Sequence, residues 1–263
     1  VAEHRPRKRF GQHFLVDRSY LSRIVAAIDP RADDNMVEIG PGLAALTAPL
    51  AERLTRLHAV EIDRDVVREL RSRFAPEQVV VHEADALEFE FAALGPKLRV
   101  VGNLPYNISS PLLFRLAGLS TNVVDCHFML QKEVVDRMAA GPGGKVYGRL
   151  SVMIQYRFEV EKLFDVPPGA FRPPPQVDSA FVRLVPRVAL PLEPVEEEVM
   201  QKMVAQAFTQ RRKTLRNAMS GFMQADELSA LGVEPTLRPE NLSVETYVRI
   251  ARFVASRQAA RTA

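Results

Sequence analysis

Through roughly the first two thirds of the chain, short apolar runs alternate with amphipathic stretches, the pattern of a parallel sheet wrapped by helices. Strands are predicted at Met36–Ile39, Leu57–Ile62, Val79–Glu83, Leu98–Gly102 and Val124–Leu130. Helical periodicity falls around them at Arg18–Ile28, Leu43–Leu54, Arg64–Phe74, Pro111–Ala117 and Gln131–Ala139. Two more strands are read at Glu159–Val166 and Ser179–Val185. Between these two, the stretch from Pro167 to Pro175 removes amide hydrogens and fixes φ, which predicts a stiff loop without regular structure. A second proline break, Pro186 to Pro194, ends the α/β pattern, and helical periodicity follows at Val195–Met219, Ala225–Leu231 and Val244–Ala255. An α/β domain is therefore expected over residues 1–186 and a small all-helical domain over 187–263.

Composition narrows the class without changing that picture. The 263 residues can bury a proper core, and 47% hydrophobic with 25% charged is ordinary for a soluble globular chain. No run approaches the roughly 20 apolar residues of a membrane span. Arg5, Arg7, Lys8 and Arg9 are not followed by the apolar core of a secretory signal, so a cytoplasmic location is expected. A single cysteine, Cys126, excludes an intramolecular disulfide and reads as a small core residue. The five histidines are scattered, without zinc-ligand spacing, and metal-free chemistry is expected. No exposed apolar stripe stands out, which favours a monomer. Net charge is only +3, yet basic residues bunch at Arg5 to Arg9 and at Arg211 to Arg216. Such clusters suit a polyanion, although a solvated surface accounts equally well for either one alone.

The segment Val37-Glu38-Ile39-Gly40-Pro41-Gly42-Leu43-Ala44-Ala45 runs a strand into a glycine turn that opens a helix. Gly40 and Gly42 let a ligand approach the backbone at the carboxyl end of the sheet, where open α/β folds bind nucleotides. With Ala45 the segment also fits the dinucleotide pattern, so a nicotinamide cofactor has to be weighed. Charge separates the two. A pyrophosphate would be repelled by Glu38, two residues before the first glycine, whereas a sulfonium and an ammonium would be attracted. Two unit charges about 4 Å apart interact by roughly 4 kcal/mol at an effective dielectric of about 20. Glu61, at the end of the next strand and about 20 residues beyond Gly40, can accept ribose hydroxyls for either cofactor. After the third strand Asp85 can accept from an adenine amine, with Ile62 and Ala86 as apolar flanks for the ring. Acids ending three successive strands favour S-adenosylmethionine over a nicotinamide.

After the fourth strand comes Gly102-Asn103-Leu104-Pro105-Tyr106-Asn107. The lone pair of an adenine amine is delocalised into its ring, so the nitrogen attacks poorly until acceptors bind its hydrogens and draw it toward tetrahedral geometry. The Asn103 side-chain oxygen and the Leu104 carbonyl can be those acceptors. Pro105 fixes the backbone between them, and Tyr106 offers a flat face on which an extruded base stacks for roughly 1–3 kcal/mol. Phe171, held by the proline-rich loop, can close the other side. With an already activated methyl group the remaining task is alignment, so no dyad or triad is required.

These segments together resemble the ribosomal RNA adenine dimethyltransferase family, which includes the bacterial small-subunit enzymes and the erythromycin-resistance methylases of the large subunit. The resemblance runs nearly end to end, through Arg9-Phe10-Gly11-Gln12-His13-Phe14-Leu15, Glu38–Thr47, Glu61, Asp85, Asn103–Tyr106, Phe171 to Ser179 and Gln210 to Asn217. It implies a Rossmann-like S-adenosylmethionine-dependent methyltransferase domain with a mostly parallel seven-stranded sheet. It further implies that the Gln12–Leu15 segment covers the cofactor, with Gln12, His13 and Leu15 as its binding residues, that Gly40 and Glu61 bind its methionine and ribose ends, that Asp85 meets its adenine, and that Asn103 lies beside the transferred methyl. His13 departs from the asparagine common in the family, and it brings an imidazole with a possible pH sensitivity. As substrate the resemblance implies two adjacent adenosines in the 3′-terminal hairpin of small-subunit ribosomal RNA, each methylated twice, within an immature small subunit. The segments Phe128 to Val135 and Gln210 to Asn217 favour that branch over the large-subunit one.

Read from the residues alone, a nicotinamide oxidoreductase and a non-catalytic RNA-binding module remain alternatives. The first lacks an evident proton donor for hydride transfer, and the second requires an intact cofactor loop to be vestigial. If Arg5, Arg7, Lys8, Arg9, Arg211, Arg212, Lys213 and Arg216 contact RNA phosphates, the RNA association constant falls steeply between low and moderate salt. An association constant that does not move with salt, in a filter-binding titration, contradicts phosphate contact.

Overall fold

The computed structural model describes residues 13–105, 108–187 and 192–262. The described residues divide into two compact units, one running to Val135 and resuming over 159–186, the other made of 136–158 and the residues from Arg187 onward. One boundary falls between Pro186 and Arg187, and residues 136–158 group with the residues from Arg187 onward.

In the first unit a short strand β1 (Phe14–Leu15) precedes helix α1 (Arg18–Ile28). Asp17 caps that helix by accepting from the Ser19 and Tyr20 amides, which satisfies two of the donors a helix start leaves open. Strands β2 (Asn35–Ile39), β3 (Leu57–Glu61), β4 (Val79–Glu83), β5 (Leu98–Asn103) and β6 (Val123–Gln131) then alternate with helices α2 (Thr47–Ala51), α3 (Arg64–Arg73) and α4 (Ser109–Ala117), and α5 (Lys132–Ala139) follows β6. With β7 (Phe158–Val166) and β9 (Ser179–Pro186) the strands form one sheet in the order β4-β3-β2-β5-β6-β9-β7. The pairs from β4 through β6 are parallel, and β9 lies antiparallel to β6. Strand β6 is buried at nearly every position because both faces of the sheet are covered. The chain builds outward from β2 in one direction through β3 and β4, then returns to the other side with β5, so a crevice opens at the carboxyl ends of β2 and β5.

Three expectations need correction here. Residues Leu43 to Leu46 are turns and only Thr47–Ala51 is α-helical, since Gly40, Gly42 and Ala44 all take positive φ and coil the backbone before the helix can start. The proline-rich loop is not devoid of regular structure: Phe171–Arg172 forms strand β8, antiparallel to β1 in a separate two-stranded ribbon. The long helix expected over Val195–Met219 is two helices.

The second unit supplies the reason for that break. Helix α7 (Pro194–Thr209) stops at a turn closed by the Lys213 amide on the Gln210 carbonyl, and the next backbone donors, Leu215 and Arg216, are taken by the carbonyls of Leu237 and Pro235 before α8 (Leu215–Ala218) begins. Helices α9 (Ala225–Ala230) and α10 (Val244–Thr262) follow. Helix α6 (Arg149–Arg157) packs with α7 and α10. It was not foreseen, because Leu150, Val152, Met153, Ile154 and Tyr156 are all buried and leave no polar face to mark a period.

At the amino end of β5, Arg99 donates to both carboxylate oxygens of Asp125 at 2.9 Å, pairs with Asp34 and caps the Ile28 carbonyl, so one cation fastens α1 and two strands. Its side chain is only 11% exposed, and removing it strands two acids with little solvent. Arg99→Met is expected to lower the unfolding free energy by about 3–5 kcal/mol, measured by urea denaturation.

Candidate active site

A pocket at the carboxyl edge of the first unit's sheet is lined by the ends of β2, β3 and β5, the Ala84–Ala86 turn after β4, and β1. The glycine turn shapes it. Gly40 (φ 68°) donates its amide to the Val60 carbonyl, and a side chain there would meet the Asn103 carbonyl and Pro105 at 3.9 Å. Gly42 (φ 52°) lies under Phe14, whose ring would be 3.0 Å from an added Cβ. The tightest approach is at Gly102, where a Cβ would stand 2.5 Å from the Ile39 carbonyl oxygen. That contact sets the ends of β2 and β5 side by side.

Carboxylates dominate the polar lining. Glu38 is 2% exposed, and its Oε2 has no hydrogen-bond partner among the described residues. Burial pushes its carboxyl up to about 8; the nearby Thr47 hydroxyl pulls the other way and Glu61 adds to the rise. Glu61 accepts from the amides of Ile62 and Asp63 at 2.9 Å. Burial raises its carboxyl too, against the backbone donors that hold it. Asp85 is fixed by the Leu87 amide at 2.8 Å. Neither lysine nor arginine is among the described residues of the lining. The described lining therefore has acceptors for hydroxyls, amines and a cation, and no side chain among the described residues that would neutralise a pyrophosphate.

Asn103 ends β5 with its Nδ2 donating to the His13 carbonyl at 2.8 Å. A carbonyl only accepts, so this bond decides which way the amide is turned and places Oδ1 on the opposite side. The Leu104 amide donates to the Met129 carbonyl at 3.2 Å, anchoring the segment to β6, and the His13 ring nitrogen Nδ1 lies 2.9 Å from the Pro173 carbonyl.

The pocket brings together His13, Leu15, Glu38, Gly40, Gly42, Glu61, Ile62, Asp85, Ala86, Asn103, Leu104 and Pro105. Gln12 and Tyr106 lie outside the described residues, as do Arg5, Arg7, Lys8 and Arg9. Phe171 does not close the site. It is 1% exposed, packed in the core with Leu15, Ile24 and Phe181, because its register opposite Leu15 turns the ring inward and Arg172 outward. Arg211 is likewise committed inside its own unit, to Glu240 at 2.6 Å and the Gly144 carbonyl at 3.2 Å, whereas Arg212, Lys213 and Arg216 are exposed. Phe14, within the Gln12–Leu15 segment, lines the pocket, and so do two residues not expected there, Met129 and Phe181. The latter two are simply inward-facing strand residues in the sequence, and only the sheet order puts them near the glycine turn. Among the described residues no group of three or more His, Cys, Asp or Glu is placed to hold a metal ion, and no helix is long and apolar enough to cross a membrane.

Sheet order, glycine turn and acidic pocket define a Rossmann-like methyltransferase domain. Two solved structures share it over nearly their full length: a dimethyladenosine transferase from Plasmodium falciparum (TM-score 0.79, 27% identity, 90% of this chain and 96% of that one) and the 23S rRNA methyltransferase ErmE (TM-score 0.71, 27% identity, 92% and 99%). The chain belongs to the ribosomal RNA adenine dimethylase family, whose model matches residues 3–256. It is 55% identical to a protein from Laribacter hongkongensis over 95% of this chain and 97% of that one, and 55% identical to one from Aromatoleum aromaticum over 98% and 97%. Both relatives are named ribosomal RNA small subunit methyltransferase A.

The buried Glu38 makes the empty protein pH-sensitive. Its folded carboxyl is raised from 4.5 to about 8, so the folded chain holds a proton that the unfolded chain gives up. The corresponding stability is complete below the unfolded value and is lost as pH rises through about 8. Between about pH 7 and pH 9 the ligand-free melting temperature is expected to fall by about 3 °C more in the wild type than in Glu38→Gln, read by scanning calorimetry.

Proposed function

We propose that this chain transfers methyl groups from S-adenosylmethionine to the N6 amines of two adjacent adenosines in the 3′-terminal hairpin of small-subunit ribosomal RNA, acting as a cytoplasmic monomer on an immature small subunit. The observation that carries the reading is the Asn103 amide, held by the His13 carbonyl beside a cation-accepting pocket that has no lysine or arginine among the described residues of its lining. The names of the relatives at 55% identity support the small-subunit branch.

The residues present fit the cofactor. The unpartnered Glu38 carboxylate oxygen suits an ammonium or sulfonium charge, Glu61 suits the ribose hydroxyls, and Asp85, between Ile62 and Ala86, suits an adenine edge. Gly40 brings the backbone to the pocket wall, Gly42 admits the Phe14 ring over the turn, and Gln12, His13 and Leu15 cover the ligand. When bound, the cofactor supplies a methyl group already activated on a sulfonium. The chain then has to hold the amine. Asn103 Oδ1 and the Leu104 carbonyl accept its two hydrogens and concentrate the nitrogen lone pair, with Pro105 keeping the two acceptors convergent. Tyr106 stacks on the base and limits its rotation. The proton lost on methylation leaves to solvent, since a methylated adenine amine is weakly basic and needs no dedicated acceptor. Arg212, Lys213 and Arg216 contact RNA phosphates, with Arg5, Arg7, Lys8 and Arg9 adding to the same field.

The test is methyl transfer from labelled S-adenosylmethionine to small ribosomal subunits lacking base methylation, with the modified nucleotides mapped. Label is expected on paired adjacent adenines near the RNA 3′ end, falling by roughly 100-fold or more in Asn103→Ala. Label on large-subunit RNA instead would reassign the substrate, and full activity in Asn103→Ala would remove that residue from the reacting centre.

A further inference from the structure

Within the second unit, contacts divide the basic stretch from Arg211 to Arg216. Arg211 donates from Nε to the Glu240 carboxylate at 2.6 Å and from Nη2 to the Gly144 carbonyl at 3.2 Å. The segment it reaches, Gly141-Pro142-Gly143-Gly144-Lys145-Val146, is exposed throughout and lies ahead of α6. Nothing stands within 4 Å of a Cβ built at Gly141 or Gly143, so no side-chain packing supports those positions. The loop is held from its backbone instead. The Gly143 amide donates to the Glu240 carbonyl at 2.6 Å, and the Tyr147 amide donates to the Gly144 carbonyl at 3.2 Å. Glu240 thus acts twice, its carboxylate on Arg211 and its carbonyl on the loop. Tyr147 is fully buried beside Phe208 of α7, with ring centroids 6.2 Å apart. Lys145 and Val146 are the exposed residues between these two anchored ends.

We infer that Lys145 is a further contact to RNA phosphate and that Arg211 is the positioning residue that presents it beside Arg212 and Lys213. The bond from Arg211 to Gly144 joins two chain segments, and a cation stands one residue beyond each end of it: Arg212 after Arg211, Lys145 after Gly144. Arg211 itself is neutralised by Glu240, the two side chains being 35% and 18% exposed. Lys145, Arg212 and Lys213 are exposed and, among the described residues, have no ion pair. A phosphodiester chain repeats its charge along the strand, so cations gathered from two segments can meet successive phosphates. The inference rests on the proposed RNA substrate and extends its contact face to a loop with no cation cluster of its own.

Glu240→Ala separates clamp from charge. It removes a negative charge from a basic face, so charge alone would tighten RNA binding, whereas loss of the clamp weakens it. Affinity for small ribosomal subunits lacking base methylation is expected to fall about threefold or more at moderate salt in Glu240→Ala and in Arg211→Gln, each checked for cooperative unfolding. Lys145→Gln is expected to lower the slope of log affinity against log salt by about one, and Arg211→Gln to add less than about a twofold effect on top of it. Arg212→Gln should add its full loss to that of Lys145→Gln. Hydrogen exchange at the Gly143 and Tyr147 amides, read without RNA, should quicken at least about tenfold in Glu240→Ala and Arg211→Gln and stay unchanged in Lys145→Gln. A photoreactive group attached to the Lys145→Cys protein should cross-link to RNA, with Cys126 buried and left unlabelled. Tighter binding by Glu240→Ala, an unchanged salt slope in Lys145→Gln, full additivity of Arg211→Gln with Lys145→Gln, unchanged amide exchange, or cross-links to ribosomal protein alone would overturn the inference. If subunits bind through this face but the wild type leaves their adenines unmethylated, the proposed function fails and the inference stands.

Discussion

Where β5 passes the end of β2 there is no room for a side chain: a Cβ at Gly102 would stand 2.5 Å from the Ile39 carbonyl oxygen. This backbone contact determines what lies beside what. It brings Asn103, the next residue, level with the glycine turn that follows Ile39, and Gly40 in turn faces the Asn103 carbonyl and Pro105. The half of the site suited to a cofactor is built on β2 and β3, and the half suited to an amine is built on β5. They meet because the strand order changes direction between them.

The ribbon of β1 and β8 closes this arrangement from the side. It lays Phe14 over Gly42, buries Leu15 and Phe171 together, and delivers the His13 carbonyl to Asn103. Charge follows from the enclosure. Burial makes both Glu38 and Glu61 hold protons more tightly than exposed carboxylates do, and the nearby Glu61 adds to the rise at Glu38. A cation entering the pocket offsets the burial that holds the Glu38 proton, so its binding favours release of that proton.

Much of this was legible in the sequence because the relevant signals are local. Apolar runs bounded by turns gave all seven strands of the large sheet to within a residue or two, and the Gly40–Gly42 turn, Glu61, Asp85 and Asn103–Pro105 each sit at a strand end where their spacing can be read. What escaped depends on distance in the chain. Strands β1 and β8 have two residues each and exist only because segments 157 residues apart pair, which no periodicity reveals. Phe171 looked like an available ring in a proline loop until that pairing turned it inward. Arg211 looked like one more surface cation, and Glu240 and Gly144, remote in sequence, claim it. Helix α6 has apolar residues on every side and so lacks the polar stripe that marks a helix. Arg99 sat unnoticed in a strand because its partners Asp34 and Asp125 lie in other segments.

The close contact of β2 with β5 at Gly102 shapes the acidic pocket, and an added methyl group there probes it. Calorimetric titration of S-adenosylmethionine into Gly102→Ala, set against the wild type and with cooperative unfolding checked in both, tests it directly. The folded variant is expected to bind at least about tenfold more weakly, as an added methyl forces Asn103 away from the glycine turn. Undiminished affinity in a folded Gly102→Ala protein would contradict it.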